Sequence, residues 1–378
     1  MNANGRELAA GFDIEKLTGG FYTDPYPTYR ALRENEPVKP MPNGSYFLTR
    51  YDDLVRIYKN TKLFSSDKKK EFAPKYGDSL LYEHHTNSLV FNDPPAHTRV
   101  RRLIMGALSP RAIAAMEPDL TALVDRLLDA LAAKGAARRN VDVIDDFAAA
   151  IPIEVIGNLL DVPREERDPL RGWSLAILGA LEPVISAEAF ARGNKAVGHF
   201  LAYLELLVER RRARPGNPDR DVLTRLIHGE DNGERLSEKE LLHNCIFLLN
   251  AGHETTTNLI GNGLVTLSAS ATQKTRLVNH SELIKTAVEE ILRFESSNQL
   301  GNRMTTEPVE FGGISMPAGT PLTLCIGAAN RDPLQFTDPE TFDIGRTPNR
   351  HSPLRPARIS APEWRWRGSK AQSPSRGS

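Results

Sequence analysis

Three groups of residues in this 378-residue chain have types and spacings that could do chemistry. The first lies in Leu248–Thr257, LLNAGHETTT, where an apolar run meets a His, a carboxylate and three consecutive threonines. Glu254 beside the hydroxyl of Thr255 suits proton delivery to something bound alongside. Ala251 precedes Gly252, and a Gly lets another group approach the backbone closely. Threonine hydroxyls can also bond back to carbonyls one turn earlier and bend a helix, so a kinked core helix with a polar patch is the plain alternative. The second group is His97 and Arg101, four apart in FNDPPAHTRVRRL. Two donors at that spacing on one helix face could grip a carboxylate; with Arg99 and Arg102 close by, a solvated basic helix is the alternative. The third is Glu290-x-x-Arg293, by itself a common surface pair, followed ten residues later by Arg303. Cys245 and Cys325 have no metal-type spacing. His253 has no second His or Cys at ligand spacing and reads as a helix-face residue.

The elements that must position these groups are mostly helical. Asp93-Pro94-Pro95 predicts a helix start with Asp as cap. Ser237-x-x-Glu240 is a capping box at the start of a long central helix carrying the threonines. Leu120, Leu123, Val124, Leu127, Leu128 and Leu131 recur at helical spacing and predict a core-facing helix over Asp119–Leu131. Further helices are expected over 28–35, Tyr51–Asn60, roughly 145–161, Ser186–Arg212 (two helices) and Asp221–Ile227. Ser45–Thr49 reads as a strand, Asp231-Asn232-Gly233 as a turn and 64–90 as a long charged loop. ISMPAGTPLTLC reads as strand, turn, strand, with Cys325 a small core residue. The fold class is mainly α with small β-sheets.

Composition narrows the function classes. Lys+Arg and Asp+Glu both number 48, so no bulk charge points to nucleic acid or a membrane surface. Two cysteines give no disulfide framework and fit a reducing cytoplasm. The N-terminus lacks a signal-peptide pattern and no stretch has the apolar length of a membrane span. The expectation is a soluble cytoplasmic protein.

Ala251-Gly252-x-Glu254-Thr255-Thr256 resembles the oxygen-activation motif of the cytochrome P450 monooxygenases, and three other segments resemble the same family in the same order. The resemblance covers roughly 20–351. It implies that Thr255 holds iron-bound dioxygen and water, that Glu254 is part of the proton route, and that Ala251 and Gly252 leave room for oxygen. It implies that His97, Arg101 and Arg303 bind the propionates of haem b, and that Glu290 and Arg293 form a buried structural brace. The brace's usual third partner is a basic residue before Phe-Asp; here Thr341 precedes Phe342-Asp343. It further implies a small organic substrate, held by loops around 64–90, 174–195 and 295–302, and a ferredoxin-type electron donor.

The family's next element is a loop of the type Phe-x-x-Gly-x-His-x-Cys, whose thiolate ligates the iron. No Cys follows Cys325 here; from Ser352 the chain reads SPLRPARISAPEWRWRGSKAQSPSRGS. The genetic code offers an account. New codons can be formed from the third base of each residue and the first two of the next. His351-Ser352 then allows Leu, Ser352-Pro353 Ala, Pro353-Leu354 Phe, Pro356-Ala357 Gly, Arg358-Ile359 His and Ser360-Ala361 Cys. The shifted reading is Leu-Ala-Phe-x-x-Gly-x-His-Leu-Cys-Ala-Gly-Met-Ala-Leu-Ala-Arg-Leu-Glu, the family's cysteine loop and the helix after it. Residues 1–351 are thus expected to be one incomplete cytochrome P450-like domain, and 352–378 an out-of-frame, disordered tail. Metal ligands are expected to be absent, haem loading little or none, and monooxygenase activity lost. The alternatives are a haem-free helical small-molecule-binding protein and the relic of a disrupted gene. A native tail is a further alternative, with Trp364-Arg365-Trp366-Arg367 docking on nucleic acid or another anionic surface.

Overall fold

The capping box starts the longest helix in the molecule. The computed structural model describes residues 3–351, apart from 109, 138–139, 218–220 and 231–232. The Glu240 amide donates to Ser237 Oγ at 3.2 Å, and the Ser237 amide donates to the Glu240 carboxylate at 2.9 Å. With these orphan amides satisfied, the helix runs from Glu238 to Ala269. In chain order the helices used below are α1 (Tyr26–Asn35), α2 (Tyr51–Lys59), α3 (Lys69–Tyr76), α4 (Leu80–Asn87), α5 (Ala96–Ala107), α6 (Glu117–Ala136), α7 (Ala150–Leu159), α8 (Asp168–Gly179), α9 (Ala187–Ala213), the central α10 (Glu238–Ala269) and α11 (Ile284–Phe294).

The strands are short: β1 (Val38–Pro40), β2 (Tyr46–Leu48), β3 (Phe64–Ser65), β4 (Leu300–Thr305), β5 (Val309–Phe311), β6 (Ile314–Met316) and β7 (Pro321–Cys325). Five form one sheet in the order β1-β2-β7-β4-β3. Only β2 and β7 run parallel, with Tyr46 opposite Leu322. β5 and β6 make a hairpin closed by Gly312 and Gly313, both at positive φ (58° and 78°). That geometry suits the two-residue turn that matches strand twist, and glycine adopts it without a Cβ penalty.

Among the described residues the two largest core clusters follow the helical and the sheet layers. The helical core gathers Leu81, Ile177, Phe200, Leu204, Ile246 and Leu249 from α4, α8, α9 and α10. The sheet core packs Leu48, Phe64, Leu322 and Leu324 against Leu54 and Ile57 of α2. The fold is mainly α with small sheets, as the sequence indicates.

Several local expectations change. The 64–90 stretch is not a loop: it holds α3 and α4, the latter capped by Ser79, whose Oγ accepts from the Tyr82 amide. Ser186–Arg212 is one helix rather than two. Ser186 caps it through the Ala189 amide, and Gly193 inside it is a packing residue, since a Cβ there would lie 3.0 Å from the Ala176 carbonyl of α8. The helix predicted over Asp119–Leu131 exists as α6, yet only Leu123 is buried, while Leu120 and Leu128 remain 37% and 48% exposed. Among the described residues its neighbours cover one side only. Asp93 does not cap α5; its carboxylate bonds Ser65 Oγ and the Ser66 amide (2.8 Å) instead. The turn at Asp231-Asn232 and the tail at 352–378 lie outside the described residues.

Candidate functional site

Helix α5 and strand β4 bring His97 within electrostatic range of both Arg101 and Arg303. Burial lowers the His97 pKa first, the positive charge of Arg101 lowers it next, and that of Arg303 lowers it further; Asp93 opposes them. Burial also lowers the Arg303 pKa, with Tyr58 and Asp93 opposing. β3 pairs only with Met304 and Thr305, so Arg303 lies just past that pairing. Its guanidinium rests over the Tyr58 ring, 4.8 Å from the centroid, and donates to the Asn302 carbonyl at 2.7 Å. His97 thus feels both arginines, and the Asp93 carboxylate acts on His97 and Arg303. Asp93 and Tyr58 are members of this group that spacing alone does not reveal, because both act across the fold.

On α10 the motif splits between opposite sides of the helix. Ala251 and Thr255 are exposed on one stripe, four residues apart, and Thr255 Oγ1 donates to the Ala251 carbonyl at 2.8 Å. Thr257 bonds the His253 carbonyl in the same way at 2.9 Å. The expected back-bonding is present at both positions. Burial raises the Glu254 pKa, helped by the negative charge of Glu182, so this carboxyl is biased toward keeping a proton. A Cβ at Gly252 would come within 2.5 Å of Ile156 Cδ1 on α7, so the bare glycine lies against that helix. His253 is 1% exposed, and neither ring nitrogen has a partner. Burial, and next the charge of Arg171, hold its pKa down to about 4. Among the described residues no hydrogen bond joins Glu254 or Thr255 to His97, Arg101 or Arg303.

Glu290 and Arg293 are both fully buried and meet bidentately, with two bonds of 2.8 Å. Arg293 also donates to the carbonyls of Asn330 (3.0 Å), Pro339 (2.8 Å) and Thr341 (3.2 Å). Glu290 accepts from the Asp343 amide at 3.0 Å, Arg346 Nε at 3.2 Å and Asn349 Nδ2 at 3.1 Å. The cationic partner missing at Thr341 is thus supplied by Arg346, and Thr341 contributes its backbone. The brace ties α11 to the last described loop. His351, at the end of that loop, sets its Nε2 2.8 Å from Glu289 of the same helix.

A haem of the kind the resemblance implies needs donors for its carboxylates and an axial thiolate. His97, Arg101 and Arg303 fit the first need. No described residue fits the second. Cys245 is inside the helical core and Cys325 ends β7, both fully buried. Burial pushes each thiol up to about 12, so neither is a thiolate near neutral pH. The full chain contains no other Cys.

Comparison with known proteins places this geometry. The profile of the family described as Cytochrome P450 matches residues 268–353. The biotin biosynthesis cytochrome P450 of Bacillus subtilis (strain 168) is 34% identical over 337 residues, spanning 88% of this chain and 82% of that protein. The 6-deoxyerythronolide B hydroxylase of Saccharopolyspora erythraea is 34% identical over 350 residues, spanning 90% of this chain and 83% of that one. The crystal structure of P450BioI in complex with hexadec-9Z-enoic acid ligated acyl carrier protein superposes with a TM-score of 0.81 at 33% identity, covering 89% of this chain and 85% of that one. With the capped central helix, the buried Glu290–Arg293 brace and relatives this similar along most of their length, the chain belongs to the cytochrome P450 family of haem monooxygenases.

Proposed function

We propose that this chain is a cytochrome P450 scaffold that keeps the residues for holding haem carboxylates but has lost its iron ligand through a change of reading frame after His351. As read, it carries little or no haem in the normal state and does not insert oxygen. The observation that carries this reading is the pair of cysteines: both are buried as neutral thiols, Cys245 in the helical core and Cys325 beside Phe12, Leu32 and Phe47, and the sequence holds no third one. The hidden Phe-x-x-Gly-x-His-x-Cys in the shifted frame supports the same conclusion.

Residues 1–351 then form a single incomplete domain. His97, Arg101 and Arg303 bind propionates by charge-assisted hydrogen bonds. Glu254, whose pKa burial raises, is the proton-route carboxyl beside Thr255, and Ala251 with Thr255 forms the open stripe next to it. Glu290 and Arg293 brace the loop that leads toward the ligand. In the frame-restored protein the partners are a small organic substrate and a ferredoxin-type donor, in the cytoplasm. Among the described residues no helix is long and apolar enough to cross a membrane.

Resequencing the gene across the codons for Asn349 to Lys370 tests the frame, and a reduced carbon monoxide difference spectrum tests the ligand. The chain as read is expected to show no thiolate-type absorption, and the frame-restored chain to show it. Thiolate-type absorption from the chain as read overturns the proposal, as does DNA that cannot encode the hidden Cys in any frame.

A further inference from the structure

Three histidines form a cluster that the monooxygenase reading does not use. Glu83-His84-His85 lies on α4, and His243 lies on the second turn of α10. The three imidazoles are 2%, 2% and 1% exposed. The His84 ring is 5.1 Å from that of His85 and 5.6 Å from that of His243. Among the described residues only His243 of the three has a carboxylate partner, its Nε2 standing 3.0 Å from Glu83. His84 Nδ1, His85 Nε2 and His243 Nδ1 have no partner. Phe72 and Phe91 each pack a ring 5.6 Å from His85.

The same contact clamps the 69–89 segment to the central helix. Lys239 of α10 reaches Glu83 at 3.2 Å. Asn244 Oδ1 accepts from the Leu89 amide at 3.0 Å, and its Nδ2 donates to the Asn87 carbonyl at 3.4 Å. From α9, the uncharged Asn194 accepts from the Leu81 amide. We propose that residues 69–89 are an acid-released strap, docked on α10 while the three imidazoles are neutral and freed when they take up protons.

The charges facing the cluster favour this behaviour. Glu83 is the single anion touching an imidazole, and Lys239 already shares it. From α3, Lys75 disfavours a charge on His85, and Lys75 is itself set among Lys68, Glu71 and Glu182. Burial holds His85 down to about 3 and His84 well below the usual range, and the imidazoles also repel one another's charge. Burial lowers His243 as well, against the pull of Glu83. The sign follows: docking lowers the proton affinity of each ring, and release returns it toward the ordinary value near 6.5. Docking is therefore at full strength above that pH and weakens as pH falls below it. Three protons taken up together would raise the opening constant by up to about a thousandfold per pH unit. The family resemblance implies that the 64–90 region holds the substrate, and on that reading acid opens this side of the pocket; the strap itself needs neither haem nor activity.

The test is hydrogen exchange read by mass spectrometry on the full chain at pH 7.5, 6.5 and 5.5, corrected for intrinsic exchange, with the α11 peptide as control. Peptides within 69–89 are expected to lose protection below pH 6.5 while α11 keeps it. His84→Leu/His85→Phe should cut the pH slope to at most about tenfold per unit, the share of one remaining proton. Uniform protection down to pH 5.5, or opening of α11 in step, overturns the proposal. Should the double variant not fold, imidazole titration of the wild-type protein by NMR decides. Titration of His84 and His85 near 6.5 with the strap still docked overturns it, and titration coupled to strap release supports it.

Discussion

Replacing Glu290 with Gln separates a buried brace from a surface ion pair by magnitude. Glutamine keeps the shape but carries no charge, so it leaves the guanidinium of Arg293 fully buried without a counter-charge and weakens the bond to Arg346. Breaking a buried pair from one side costs about 3–5 kcal/mol. For a domain of this length the unfolding entropy is on the order of 0.7 kcal/mol/K, so the melting temperature should fall by about 4–7 °C. Glu230→Gln is the control. Its pair with Arg235 is 46% and 63% exposed, and such pairs contribute about 0–1 kcal/mol. Thermal unfolding of the full chain by circular dichroism at pH 7 measures both variants. If Glu290→Gln melts within 1 °C of Glu230→Gln, the brace does not stabilise the fold in the way argued here.

Other outcomes follow from the same packing. Thr255→Ala removes only a back-bond to Ala251 on an exposed stripe and should change unfolding free energy by less than about 0.5 kcal/mol in denaturant titrations. Any larger effect on turnover in the frame-restored enzyme would then be chemical. Gly193→Ala forces a methyl to 3.0 Å from the Ala176 carbonyl and should destabilise by about 1–3 kcal/mol. Gly172→Ala, inside α8 with nothing within 4 Å, should stabilise by about 0.5–1 kcal/mol. The same chemical melts check both. His253 titrates at about 4 when folded and near 6.5 when unfolded. The unfolded state therefore binds its proton first, and stability should fall by about 3 kcal/mol as pH drops from 6.5 to 4. His253→Phe should remove that part of the pH dependence in urea titrations.

How much was legible in advance depends on the range of each interaction. The capping box, the threonine back-bonds and the Glu290–Arg293 pair are set by residues three or four apart on one helix. Their spacing alone was enough to read them. That no Cys follows Cys325 is likewise a matter of counting, and the order of motifs along the chain carries the family. The partners supplied from far away were not legible. Arg346 and Asn349 reach Glu290 across more than fifty positions, and Tyr58 and Asp93 meet Arg303 only because α2, β3 and β4 come together. Burial was also decided by the fold. The leucine stripe of α6 has core periodicity yet stays half open, because among the described residues its neighbours cover one side. His84 and His85 sit in a polar-looking segment yet are buried, His85 against the rings of Phe72 and Phe91. Periodicity states which residues share a face; only the packed neighbours state what that face meets, and that contact sets both the dielectric and the charge each group carries.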